Sequence, residues 1–243
     1  MVELIKQRGT VNFAQLKGNF PDVSEMTLRR DLEQLDQARQ IVRIHGGARS
    51  LDAVVRMEDY FYNRSQQNVE KKRQIAQKAI KLLKPEMSIF IDSGSTVTEL
   101  SRIFPDEHFL IVTSGLSCAL ELSRLSAATT HLLGGKLNSN SLSVNGSQSI
   151  AMIEDLNFNI AFCGVVGYST KLGFTTALKE DYELKSAAIR KAEKVVILMD
   201  SSKVGICSPF TFARLNDVDI IVTDDELSPE AAEEFRKNGI TVY

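Results

Sequence analysis

From residue 87 onward, strand-sized apolar runs alternate with helical patterns, and this alternation restricts the possible folds more than any other feature of the chain. Runs at 88–91, 109–112, 131–133, 160–162, 194–199 and 220–222 have the length and apolar content of buried strands. Between them, 96–104, 116–125, 181–192 and 229–237 repeat their apolar positions with a helical period. Strands separated by helices suit a largely parallel sheet covered on both faces. A mostly parallel α/β domain is therefore expected over residues 71–243.

The rest of the chain is too short for a second domain of that size, but it has its own pattern. The stretch from Leu4 to Gly9 reads as one short helix, and Phe13, Leu16 and Phe20 mark a second that ends at Pro21. Ser24 is a good N-cap for a third, because its hydroxyl can accept from a backbone N–H of the first turn. Leu28, Leu32 and Leu35 then form one inward stripe. On that wheel Met26, Thr27 and Arg30 fall on the opposite side, with Arg29 on a flank. A strand at 41–44 and a tight turn at His45-Gly46-Gly47 follow. Three short helices and a hairpin outline a winged helix-turn-helix over residues 1–50, with a linker at 51–70. Arginine on such a helix face can bond guanine or phosphate, and threonine can touch a thymine methyl. Arg43 and His45 fall on the wing, where a basic residue can meet the adjacent backbone or minor groove. The alternative is an ordinary solvated helix face.

Net charge is −2, which argues against indiscriminate coating of nucleic acid. The first fifty residues nevertheless carry 8 Lys and Arg against 6 Asp and Glu, and the remainder is acidic. No run approaches the roughly 18 apolar residues of a membrane span, and no signal-peptide apolar region opens the chain, so a cytoplasmic protein is expected. Cys118, Cys163 and Cys207 are far apart, as are the three histidines, which speaks against a metal or redox site. Cys118 and Cys163 read as buried packing residues and Cys207 as a loop residue.

The polar loops after the strands are the second informative feature. Asp92-Ser93-Gly94-Ser95-Thr96 lies between an apolar strand and a helix, where hydroxyls and helix N-terminal N–H groups suit an anion such as phosphate. Ligands of parallel α/β sheets bind beyond the carboxyl ends of the strands, where this loop falls. Thr113-Ser114-Gly115, Gly134-Gly135-Lys136, 164–167 (ending at Gly167) and Asp200-Ser201-Ser202-Lys203 occupy corresponding positions. Lys136, Lys185 and Lys203 are candidate cations, Lys203 first among them, although each reads equally as a surface lysine. A capped strand-to-helix turn is the alternative for any one loop taken alone.

Two sets of motifs carry a resemblance to a known family. Val23-Ser24-Glu25-Met26-Thr27-Leu28-Arg29-Arg30-Asp31-Leu32, followed by Arg43-Ile44-His45-Gly46-Gly47-Ala48, resembles the DeoR-type helix-turn-helix and its wing. In the second domain, Asp92–Thr96, Leu132–Gly135, Gly146, Gly173–Thr176, Asp200–Lys203 and Thr223-Asp224 resemble the DeoR sensor, whose fold is similar to ribose-5-phosphate isomerase. Against that pattern the first helix is short by a turn or two, a marginal length unless packed. Ser114-Gly115 stands where the family has Asn-Ser, and Asp181 stands where it has Glu.

The resemblance implies a transcriptional regulator, in most cases a repressor, of a carbohydrate operon. Ser24, Met26, Thr27, Arg29, Arg30, Arg43 and His45 would serve operator DNA. Asp92, Ser93, Gly94, Ser95, Thr96, Thr113, Ser114, Gly134, Gly135, Gly167, Asp181, Lys185, Asp200 and Lys203 would serve a phosphorylated sugar. Repeated operator half-sites suit a dimer or tetramer, and the composition points to no cofactor, metal or membrane partner. The alternative is a sugar-phosphate isomerase or deaminase built on the same pocket. That chemistry needs a placed carboxylate base. Asp92, Asp181, Glu183 and Asp200 can be imagined in the role, but no motif singles one out.

Overall fold

A computed structural model describes residues 1–8, 10–21, 23–38, 40–44, 47–50 and 61–243. Contacts divide the chain into two compact units, Met1–Asp59 and Tyr60–Tyr243.

In the first unit, helices α1 (Val2–Arg8), α2 (Phe13–Asn19) and α3 (Glu25–Gln37) accompany strands β1 (Thr10–Asn12), β2 (Ile41–Ile44) and β3 (Gly47–Ser50). The strands form an antiparallel sheet in the order β1-β3-β2. Strand β1 is an element the sequence pattern does not reveal, because three residues cannot display a period. Ile5, Val11, Leu16, Leu32, Ile41 and Ala48 make the small core, so the short α1 is held by packing rather than by its own helical propensity. Asn12 and Gln15 cap α2 reciprocally. Ser24 caps α3 by accepting from Thr27 N at 3.1 Å, as its residue type suggests. The Lys17 ammonium donates to the carbonyls of Pro21 and Val23 and so fixes the turn between α2 and α3.

The second unit opens with two helices, α4 (Phe61–Gln66) and α5 (Val69–Ala79). The stretch read as linker up to residue 70 is thus helical from residue 61, and residues 51–60 lie outside the described ones. Next come β4 (Ser88–Ile91), α6 (Ser95–Arg102), β5 (Leu110–Thr113), α7 (Leu116–Leu122), β6 (Thr129–Leu132), a hairpin of β7 (Lys136–Asn138) and β8 (Ser143–Asn145), and α8 (Ser147–Glu154). The chain continues through β9 (Ile160–Gly164), β10 (Gly167–Ser169), β11 (Gly173–Thr176), α9 (Lys179–Arg190), β12 (Val195–Leu198), β13 (Phe210–Ala213), β14 (Ile220–Val222), α10 (Pro229–Lys237) and β15 (Thr241–Val242).

Seven strands form one sheet in the order β15-β14-β12-β9-β4-β5-β6, and every pairing in it is parallel. Alternate residues of each strand serve opposite faces. Ile89, Ile91, Ile160, Phe162, Val196 and Leu198 pack toward α5, α6 and α7. Phe90, Ala161, Cys163, Val195, Ile197 and Ile221 pack toward α8, α9 and α10. Cys118 and Cys163 are buried and Cys207 is exposed, in line with their neighbours in the sequence. A small antiparallel sheet, β10-β11-β13, adds Tyr168, Phe174 and Phe212 to the second face. Among the described residues no helix is long and apolar enough to cross a membrane.

Strand order decides where a ligand can sit. From β4 the chain moves outward to β5 and β6, then returns to place β9 on the other side of β4. The connections leaving β4 and β9 therefore part company, and a crevice opens beyond their carboxyl ends.

Candidate functional site

In the first unit, α3 turns Leu28 and Leu32 inward and leaves Ser24, Met26, Thr27, Arg29 and Arg30 exposed, Met26 by 81%. Exposure of a large apolar side chain beside two arginines suits contact with base edges and sugar-phosphate. The Arg29 guanidinium lies 4.7 Å from the centroid of the Phe13 ring, which steadies it against α2. Ser24 and Thr27 share a hydroxyl hydrogen bond of 2.8 Å in addition to the cap. Arg43 is exposed on β2, and His45 lies outside the described residues.

In the second unit a cleft of about 660 Å³, counting the solvent at its mouth, lies at the crevice between β4 and β9. Its floor is a buried ion pair. Asp92, at the end of β4, is 1% exposed and accepts from Gly164 N at 2.9 Å and from the Lys185 ammonium. Lys185, 5% exposed on α9, also donates to Gly164 O at 3.0 Å. Burial works against its charge, but Asp92, Cys163 and Asp181 together outweigh this and hold the ammonium above its ordinary range. The expectation of a surface or freely available Lys185 is therefore corrected. Its charge is already matched, and its task is to join the ends of β4 and β9.

Above this pair stands the first turn of α6. Gly94 is its N-cap with φ of 134°, a conformation that L side chains rarely adopt, and no side chain caps the turn. The first-turn N–H groups thus have no side-chain cap where they meet the cleft. The second wall comes from the junction of α4 and α5, with Arg64, Gln67, Asn68 and Lys72. Lys72 is 4% exposed and its ammonium donates to the carbonyls of Gln67, at 2.6 Å, and Arg64. Burial pushes its pKa down to about 8. The third wall carries Ser141, Thr176 and Asp181. Asp181 accepts from Asn145 Nδ2 at 2.9 Å, and burial pushes its carboxyl above the usual range. Lys203 closes the rim, 4.0 Å from a buried Asp200 oxygen that has no hydrogen-bond partner.

The structure thus brings together Ser93, Gly94, Ser95, Thr96, Asp181, Lys185 and Lys203, with Asp92 beneath and Asp200 beside them. Thr113, Ser114, Gly134, Gly135 and Gly167 do not line the cleft. The β7–β8 hairpin occupies the ends of β5 and β6 instead. Val144 N donates to Ser114 O, Ser149 Oγ donates to Gly134 O, and Thr113 Oγ1 accepts from Gly115 N. A Cβ on Gly135 would stand 2.5 Å from Asn145 O, so close packing requires a glycine here. Gly167 pairs with Thr175 in the small sheet. Lys136 is exposed on β7.

Sequence reasoning missed Arg64, Gln67, Asn68, Lys72, Ser141 and Thr176. One signal was present. Lys72 precedes Ile75 and Ala76 by three and four positions, so the buried stripe of α5 contains a lysine.

A winged helix with a basic outer face and an α/β unit with a cation-rimmed cleft, joined in one chain, define a DNA-binding transcriptional regulator with a sensor domain. The chain belongs to the DeoR family. Residues 1–54 match the DeoR-like helix-turn-helix domain, and residues 67–225 match the DeoR C terminal sensor domain. The chain is 34% identical over 220 residues to the HTH-type transcriptional regulator GlpR of Haloferax volcanii, covering 90% of this chain and 86% of that one. It is 32% identical over 226 residues to the lactose phosphotransferase system repressor of Streptococcus mutans, covering 92% and 89%. These relatives are regulators, not enzymes. Among solved structures, ribose 5-phosphate isomerase A of Methanocaldococcus jannaschii is similar with a TM-score of 0.42 and 16% identity over 57% of this chain and 55% of that one.

Proposed function

We propose that the chain represses a carbohydrate operon as a homo-oligomer, dimer or tetramer, and that a phosphorylated sugar in the cleft relieves the repression. The observation that carries this reading is the polar lining of the cleft. The uncapped first turn of α6, Lys72 and Lys203 line it, a setting for a phosphate dianion. Ser141, Thr176 and Asp181 line it too, and offer hydroxyl and carboxylate groups of the kind that bond sugar hydroxyls. The Asp92–Lys185 pair adds no net charge, so the cations at the rim decide the sign of the ligand. The name of the Streptococcus mutans relative, with its lactose phosphotransferase system, agrees with a sugar as the signal. Two winged helices, one from each of two copies, suit the repeated half-sites of an operator.

Thermal unfolding against a panel of sugar phosphates, each paired with its unphosphorylated parent, tests the reading. The cognate compound at about 100 times its dissociation constant is expected to add about 2.7 kcal/mol, and the parent sugar far less. Lys203→Ala is expected to reduce that gain and to leave operator affinity unchanged. A panel with no responding member, or an equal response to phosphorylated and parent sugars, overturns the phosphate assignment.

The pH dependence follows from Lys72. A sugar phosphate is dianionic above its second pKa of about 6, so the ligand's charge is constant in the alkaline range. The Lys72 ammonium loses its proton near pH 8. Affinity for the phosphate is therefore expected to be full below that pH and to fall as pH rises through it. The folded chain binds fewer protons than the unfolded one between the Lys72 value and that of a free lysine, so this group alone makes ligand-free stability rise over the same interval. Titration calorimetry at several pH values reads the first effect, and affinity that holds steady across pH 8 removes Lys72 from contact with the anion.

A further inference from the structure

We propose that Asp224 and Lys71, neither of which lines the cleft, are positioning residues that hold the Asp200–Lys203 turn against the first turn of α5, so that Lys203 faces the bound anion from a fixed place. The proposal rests on the anionic-ligand reading above and deepens it.

The turn that carries Lys203 is a single 3-10 turn, Ser201–Lys203, between the end of β12 and a loop, capped by Asp200, which accepts from Ser202 N at 3.1 Å. Further anchorage comes from outside. Asp224, just after β14 and 2% exposed, accepts from Ser201 N at 2.6 Å and from Ser201 Oγ at 2.9 Å, and also from Glu226 N at 3.0 Å. One carboxylate therefore fixes both the backbone and the side chain of the first residue of the turn. Burial would raise the Asp224 pKa, but these hydrogen bonds and the nearby Lys71 together hold it below the usual carboxylate range.

From the other side, Lys71 on α5 donates to Ser201 Oγ at 2.9 Å, pairs with Glu226 at 2.8 Å and lies 3.5 Å from Asp224. Three residues earlier, Asn68 adopts a left-handed backbone with φ of 50° and donates to Asp200 Oδ1 at 3.2 Å and Ser202 Oγ at 3.1 Å. Asn68 and Lys71 are neighbours on one helix face. Asp200, Ser201 and Ser202 are thus each gripped in succession. Lys203 follows them with its side chain 27% exposed, beside the one Asp200 oxygen that has no hydrogen-bond partner.

The physical gain is preorganisation. A lysine side chain loses much rotamer freedom when it is fixed on a ligand, and a wandering turn would add backbone freedom to that loss. Holding the turn before the ligand arrives removes the backbone part from the cost of binding.

The test uses the full chain with inorganic phosphate as the probe. Trace acetylation read by mass spectrometry reports how Lys203 is held in the ligand-free protein, and calorimetry reports phosphate affinity. In Asp224→Asn and in Lys71→Met, Lys203 labelling is expected to rise severalfold and phosphate affinity to fall about tenfold, the loss of one well-placed charged hydrogen bond. Lys71→Arg, which keeps charge and donors, is expected to restore both readouts, which mere filling of space would not do. Lys71 is partly exposed, so its methionine variant keeps the test open if Asp224→Asn folds poorly. Wild-type labelling and wild-type affinity in both variants overturn the proposal. If the wild-type chain binds no phosphate, the anion reading falls, and labelling still decides the clasp: a rise supports it and no rise overturns it.

Discussion

Lys185→Met is expected to cost the sensor unit about 3–5 kcal/mol, the usual consequence of leaving one member of a buried ion pair without its partner. Asp92 is 1% exposed and has two strong donors, Gly164 N and the Lys185 ammonium. Methionine matches the length of the lysine stem but offers no donor, so the Asp92 charge would face a site closed to water. Urea unfolding followed on the sensor transition measures the effect. The double variant Asp92→Asn, Lys185→Met is expected to recover most of the loss, because uncharged groups of similar volume carry a much smaller desolvation penalty. A loss below about 1 kcal/mol in the single variant would mean that water reaches Asp92 and that the pair is not the floor described.

Arg30→Ala is expected to weaken operator binding by about 1–3 kcal/mol, or roughly fivefold to more than a hundredfold, with the fold of the first unit unchanged. Arg30 is exposed on the outer face of α3, whereas Arg29 stacks on Phe13, so Arg29→Ala also removes a contact within the fold. Salt dependence separates two roles. If Arg30 bonds a guanine edge, the variant keeps the slope of affinity against salt and relaxes specificity at one base pair. If it bonds phosphate, all sequences weaken alike and the slope falls by about one. Unchanged affinity for every sequence would remove Arg30 from the interface.

The parts of the fold legible in the sequence were those long enough for a period to show or, like the short β14, apolar throughout. Strand β4 at Ser88–Ile91, strand β14 at Ile220–Val222 and helix α10 at Pro229–Lys237 have the bounds that the apolar pattern suggests. Strands β7, β8 and β10 have three residues each and mix polar with apolar types, so they leave no periodic trace. In the site, Ser93–Thr96 line the cleft, at the carboxyl end of a buried strand where the sequence places them. The loops at Ser114 and Gly134-Gly135 look the same in sequence, yet the chain covers them with its own hairpin. That distinction rests on tertiary contacts that residue type does not encode. Lys185 was hard to place for a related reason. It follows Leu184 and precedes Ala187 and Ala188 in a buried stripe, and only the carboxylate of Asp92, brought in from another strand, makes a lysine tolerable there.

The walls of the cleft come from stretches of chain as far apart as residues 64 and 203. A small molecule held between them acts as a removable cross-link on the whole sensor unit. At about 100 times its dissociation constant, such a ligand lowers the unfolded fraction about a hundredfold. Because intracellular proteases draw on that fraction, the proposed function carries a consequence: the supply of the metabolite would govern the lifetime of the regulator as well as its occupancy of DNA. A cell starved of the sugar would then lose its sensor faster than a cell that is fed.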